Sequence, residues 1–115
     1  MIVNILKIIA SVITIGTGLL SLLKPTAVYG FTGLTAESGR GITEIRSILG
    51  ALFIALGGAV LYFQLSETYA MLGTMYLFIA LVRLVSMFVD KSVEQSNIVS
   101  LITEIILGVI LVLPS

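Results

Sequence analysis

Residues 41–65 read GITEIRSILGALFIALGGAVLYFQL, an apolar run long enough to cross a bilayer that opens with a glutamate and an arginine. Charges placed where lipid begins cost roughly 2.5–3.5 kcal/mol each when unpaired, even on a lenient insertion scale, so Glu44 and Arg46 need partners elsewhere. The chain offers two, Arg83 and Glu104, each embedded in a further apolar run. The stretch therefore predicts a membrane bundle with a charged cluster inside it.

The whole composition agrees. The chain has 115 residues, 58% of them hydrophobic and 10% charged, and its mean hydropathy is +1.21, outside the range of soluble domains. Six basic and six acidic side chains give zero net charge, so no basic field exists to bind nucleic acid or anionic lipid by bulk attraction. Cysteine and histidine are absent, which removes disulfides, thiol chemistry and the commonest zinc and haem ligands. No metal-ligand spacing, phosphate-binding loop or dinucleotide fingerprint is present. No cofactor is expected, and any chemistry must use carboxylates, arginine, hydroxyls or lipid.

Four apolar runs fit membrane spans, at about residues 5–23, 42–65, 69–89 and 98–113, and make a single all-α domain, an integral membrane four-helix bundle over 1–115. A cleaved signal peptide is the competing reading of the first run. Against it, Lys24-Pro25-Thr26-Ala27 offers no small-x-small cleavage site and the run is long for a signal core. Pro25 ends the first helix, and residues 25–41 read as a long glycine-rich loop. Its Tyr29, Phe31 and Leu34 are apolar anchors that would fold it back over the bundle mouth as a lid or lay it in the headgroup layer, a mobile linker being the alternative. Ser66-Glu67-Thr68 reads as a tight turn and 90–97 as the second polar connection. Four spans put both termini on one side. Lys24, Arg40 and Lys91 outnumber Lys7, which places the loop side in the cytoplasm by the positive-inside rule.

Alternating spans bring the charges to one level. Arg83 lies about six residues before the third run ends and Glu104 about six after the fourth begins, each roughly 9 Å inside the same face. In the third run Gly73, Tyr76, Ala80, Arg83, Met87 and Asp90 recur at three and four, one helical stripe. In the fourth, Asn97, Ser100, Glu104 and Gly108 form another. Glu44 and Arg46 are two apart and point to different sides of their helix, so only one can face the cluster squarely. Arg46 is the better candidate, with Gly50 one turn deeper leaving room. The candidate ligand-binding residues are Arg46, Arg83, Glu104, Glu44 and Tyr76; none is assigned as catalytic.

Plainer readings compete for each. Glu44 would serve equally as a helix-start acid near water, and Arg46 would reach the headgroups as a snorkelling side chain. Arg83 and Glu104 would serve as a structural pair fixing helix register. Small residues at Thr43, Ser47, Ala51, Ala55 and Ala59 give the second run a close-packing stripe, used within the bundle or as a homodimer seam. The first run adds Ser11, Thr14, Gly18 and Ser21. Tyr62, Phe63 and Tyr69 read as an aromatic belt at the terminal-side boundary.

With Glu44-Ile45-Arg46 followed by Gly50, Arg83 late in the third run and Glu104 in the fourth, the chain resembles a family of small bacterial four-helix membrane proteins, a domain of unknown function akin to the DoxX-like group. The resemblance covers nearly the whole chain. It departs where Gly50-Ala51 stands in place of an expected glycine pair. It implies the fold and the bacterial inner membrane, and no reaction. The leading expectation is binding or movement of a small amphipathic or anionic ligand at the Arg46, Arg83 and Glu104 cluster, with membrane lipid around it. The alternative is an accessory subunit of a larger membrane complex whose charges only lock the bundle. An enzyme ranks third, because no nucleophile or metal site accompanies Glu104.

Overall fold

The computed structural model describes residues 1–114, which form four long helices, Ile2–Leu23, Gly39–Phe63, Ser66–Val89 and Gln95–Val112. All four are long and apolar enough to cross a membrane. The outer surface is accordingly apolar: Phe78, Val82, Val85 and Phe88 of the third helix, among many others, are exposed, as lipid-facing side chains must be. The chain is a four-helix membrane bundle.

Neighbouring helices run antiparallel and pair closely, first with second and third with fourth. A Cβ on Gly57 would stand 2.9 Å from the Ser11 carbonyl oxygen, and one on Gly73 would stand 2.9 Å from that of Gly108. Glycine lets the two backbones of each hairpin touch, which is how helices associate in lipid. The first and third helices run side by side in the same direction, since Lys7 meets Tyr69 and Thr14 meets Tyr76.

The core is lopsided. Ala10, Val60, Tyr69, Leu72, Tyr76, Leu107 and Leu111 form one buried apolar cluster, and all lie toward the end of the bundle that carries the termini. Toward the loop end the helices part around open space.

Each helix begins three residues before the sequence boundary, because the residues flanking each apolar run continue the helix. Ser66 opens the third helix instead of belonging to a turn; Gln64 in the left-handed conformation makes that turn. The 25–41 segment is also more ordered than a loop. Pro25–Val28 makes a 3-10 turn and Tyr29–Thr32 a short helix, with Pro25 in the first position where its missing amide costs nothing. Val28 is fully buried, and Tyr29–Thr32 packs against the fourth helix. Gly33, at φ 75°, ends this short helix in a conformation that glycine adopts without strain. Beyond it the Tyr29 hydroxyl bonds the backbone of Ala36. The segment is a cap over the loop end, held by Pro25 and Val28, whereas Phe31 and Leu34, two of the three expected anchors, are exposed.

The small stripe of the second helix does not pack in the bundle. Thr43, Ser47, Ala51 and Ala55 are exposed, and only Ala59 is partly covered. The cause is local: over Ile45–Leu52 the helix widens to π geometry, in which hydrogen bonds reach five residues back. Its buried residues are Ile45 and Gly50, five apart, so the four-residue stripe rotates away. Tyr69 leaves the expected aromatic belt as well. It is buried under Lys7, while Tyr62 and Phe63 stay exposed as an edge-to-face pair.

Candidate functional site

The third and fourth helices meet through a bidentate ion pair. Arg83 donates from Nε to Glu104 Oε1 and from Nη2 to Glu104 Oε2, both at 2.7 Å. Its Nη1 donates to Asn97 Oδ1 at 2.9 Å. Asn97 in turn donates to the carbonyl and hydroxyl of Ser92, so one network ties both helices to their connection. The two charged side chains are 28% and 12% exposed. Planar guanidinium against planar carboxylate is the strong, orientation-fixing form of this contact.

The fourth helix contributes more than its apolar run announces. It starts at Gln95, and the added turn carries Asn97 into reach of Arg83. The third-helix stripe is inward as its spacing predicts, with Gly73, Tyr76, Ala80 and Met87 buried and Arg83 half-buried. Asp90, the last member, is exposed past the helix end.

The other sequence candidates separate from the pair. Arg46 is exposed and makes no bond to Arg83 or Glu104. A period of 3.6 places Arg46 above Gly50, but the π turns put Ile45 there instead, and Gly50 abuts the backbone of Leu22 in the first helix. Glu44 is exposed and pairs with Arg40 one turn earlier, the water-facing helix-start acid of the plainer reading. Tyr76 lies one level deeper than the ion pair. Its hydroxyl is 2.6 Å from Thr14 Oγ1; because Thr14 spends its own hydrogen on the Ala10 carbonyl, Tyr76 is the donor.

Arg83, Glu104 and Tyr76 share the wall of a cavity of about 830 Å³ at the loop end. Ile13, Leu49, Phe53 and Leu107 make its apolar sides; Thr17, Ser21, Ser100 and Thr103 add hydroxyls; Phe31 and Thr32 of the cap roof it. Such a volume suits a small ligand, and a mostly apolar wall with a few convergent polar groups is the usual form of a binding pocket. Among the described residues no cluster of three metal-ligating side chains occurs.

One residue that sequence reasoning left at the surface proves buried. Lys7 is fully enclosed, its ammonium 5.6 Å from the centre of the Tyr69 ring, a cation over an aromatic face. The signal was in the spacing: Lys7, Ser11, Thr14, Gly18 and Ser21 recur at four and three, and all five are buried.

These features define a class, small four-helix membrane proteins with a polar site between helices at one end. The chain belongs to the family described as domain of unknown function DUF4345, whose sequence profile matches residues 2–114. No curated protein and no solved structure matches it.

Proposed function

We propose that the chain binds a small amphipathic molecule in the cavity under the cap, its polar head at Arg83 and Glu104 and its apolar part against Ile13, Leu49 and Leu107. The observation that carries this reading is that the ion pair forms a cavity wall rather than being enclosed by packed side chains. Arg83 spends three of its five N–H groups on Glu104 and Asn97, which leaves two for a ligand. Its charge is already balanced by Glu104. A neutral head with hydrogen-bonding oxygens therefore fits better than a free anion, which narrows the amphipathic or anionic expectation. The buried cluster at the terminal end supports binding over passage, since it plugs the bundle beneath the cavity.

In this reading both termini lie on one side, and Lys24, Arg40 and Lys91 favour a cytoplasmic loop side. Lys7 drops out of that count because it is enclosed. The bacterial cytoplasmic membrane and the DoxX-like kinship are what the resemblance implies. A second reading, a structural lock in an accessory subunit, draws on the internal satisfaction of the pair: among the described residues no buried side-chain nitrogen or oxygen lacks a partner. The exposed Thr43, Ser47, Ala51 and Ala55 would then offer a seam for a second copy or a larger complex.

Native mass spectrometry of the purified protein, with identification of released small molecules, tests the choice. A copurifying amphipath that disappears from the Arg83→Met, Glu104→Leu double variant supports binding. The same bound molecules in both proteins, or none in either, would leave only the lock.

A further inference from the structure

The cavity under the cap has a neighbour. A second space of about 720 Å³ lies between the cap, the third helix and the start of the fourth, and Phe31, Thr32, Arg83, Glu94 and Ser96 line both. Its polarity changes with depth. Ser92, Glu94 and Ser96 line it near the loop face, whereas Val82 and Phe78 line it further down. Those two side chains are 61% and 64% exposed on the lipid-facing surface of the third helix. Phe78 precedes the helix end by eleven residues, which carries the groove about 16 Å below that end. The outer space is thus open to hydrocarbon, polar at headgroup level and apolar beneath, the same order as the leaflet beside it.

We infer that the inner cavity is loaded sideways from the loop-side leaflet, by a membrane-dissolved amphipath with a neutral polar head and a hydrocarbon tail that passes Phe31. This rests on the binding reading and adds its ligand class and its route. A molecule lying in the leaflet already has its head level with Ser92 and Ser96 and its tail beside Val82 and Phe78. It moves inward without turning over and without exposing its tail to water. Arg83 lines both spaces, so the head passes from one side of a single guanidinium to the other. Phe31 is the movable part of the partition. It is 40% exposed and sits on a four-residue helix, while the cap's base is pinned by buried Pro25 and Val28.

The chain has no tryptophan, so Phe53→Trp places a lone reporter in the inner wall, and Leu49→Trp serves if that variant does not fold. In lipid nanodiscs, a dibrominated octadecanol delivered from vesicles is expected to quench this reporter saturably. It should do so at mole fractions that leave a Phe88→Trp reporter on the lipid face nearly unquenched. Val82→Phe, which fills the groove from its exposed face, should slow that quenching about tenfold, equivalent to a barrier raised by roughly 1.4 kcal/mol. Phe31→Ala should speed it. Quenching by acrylamide from the water should be unchanged by Val82→Phe. If the octadecanol rate ignores Val82→Phe while quenching stays saturable, sideways loading is wrong and binding stands. Equal slowing of both quenchers also overturns the route, because the groove would then matter to a molecule that does not come through lipid. An inner reporter that the octadecanol does not quench saturably overturns both readings.

Discussion

Breaking the Arg83–Glu104 pair from either side should cost unequal amounts. Arg83→Met removes the partners of both oxygens of Glu104, the more enclosed member at 12% exposure, and should cost roughly 4 kcal/mol. Glu104→Leu leaves Arg83 its bond to Asn97 and its greater exposure of 28%, so roughly 3 kcal/mol is expected. Independent effects would sum to about 7 kcal/mol in the double variant. Apolar side chains can replace a buried pair with little loss, so the double variant should instead lose no more than about 4 kcal/mol, a coupling of about 3 kcal/mol. Unfolding in mixed micelles followed by circular dichroism measures all four corners of the cycle. A double variant that loses the full sum would show that the two side chains stabilise the bundle separately, and the pairing argument would fail.

Two substitutions on one helix should behave oppositely. Gly57→Ala pushes a methyl against the Ser11 carbonyl and the Ile15 side chain and should cost about 1–3 kcal/mol, whereas Ala55→Leu on the exposed face should stay within about 0.5 kcal/mol; equal melting shifts would refute the assigned faces. At the deeper level, Tyr76→Phe removes one hydrogen bond and should cost about 1 kcal/mol, while Thr14→Val strands the buried Tyr76 hydroxyl and should cost more, up to about 3 kcal/mol; the reverse order in thermal melts would contradict the donor assignment. Because the chain lacks cysteine, Val3→Cys and Pro114→Cys can be labelled singly with an impermeant maleimide, and both should react from the same membrane face.

The spans and the Arg83–Glu104 pair were legible because both depend on regular geometry. Apolar length marks a membrane helix, and residues three and four apart share a face along the third and fourth helices. Arg46 and the small stripe were misread at the one place where that period fails, the π turns over Ile45–Leu52. Those turns arise where Gly50 lets the second helix press on Leu22, a tertiary contact that no local pattern announces. Lys7 was misread for another reason. It was counted only as a terminal-side charge, although its spacing continues the stripe of Ser11 and Thr14. Asn97 stood in the correct stripe, yet its bond to Arg83 required the fourth helix to begin at Gln95, before the apolar run does.

The ion pair and the cavity also depend on each other. Gly73 and Gly108 bring the third and fourth backbones into contact, but small residues alone permit sliding, since a shift by one turn still leaves smooth surfaces facing. A slip of about 5.4 Å would carry Arg83 past Glu104 and break both of its bonds at once. The bidentate pair therefore favours one register among those the glycines permit. That register in turn holds Ser100, Thr103 and Glu104 at the level where the cap can roof the space between helices. A lock and a ligand site are thus compatible at this position. The outcome that separates them is a double variant that keeps its helical fold, with a stability loss well below the sum of the single variants, while losing the bound amphipath.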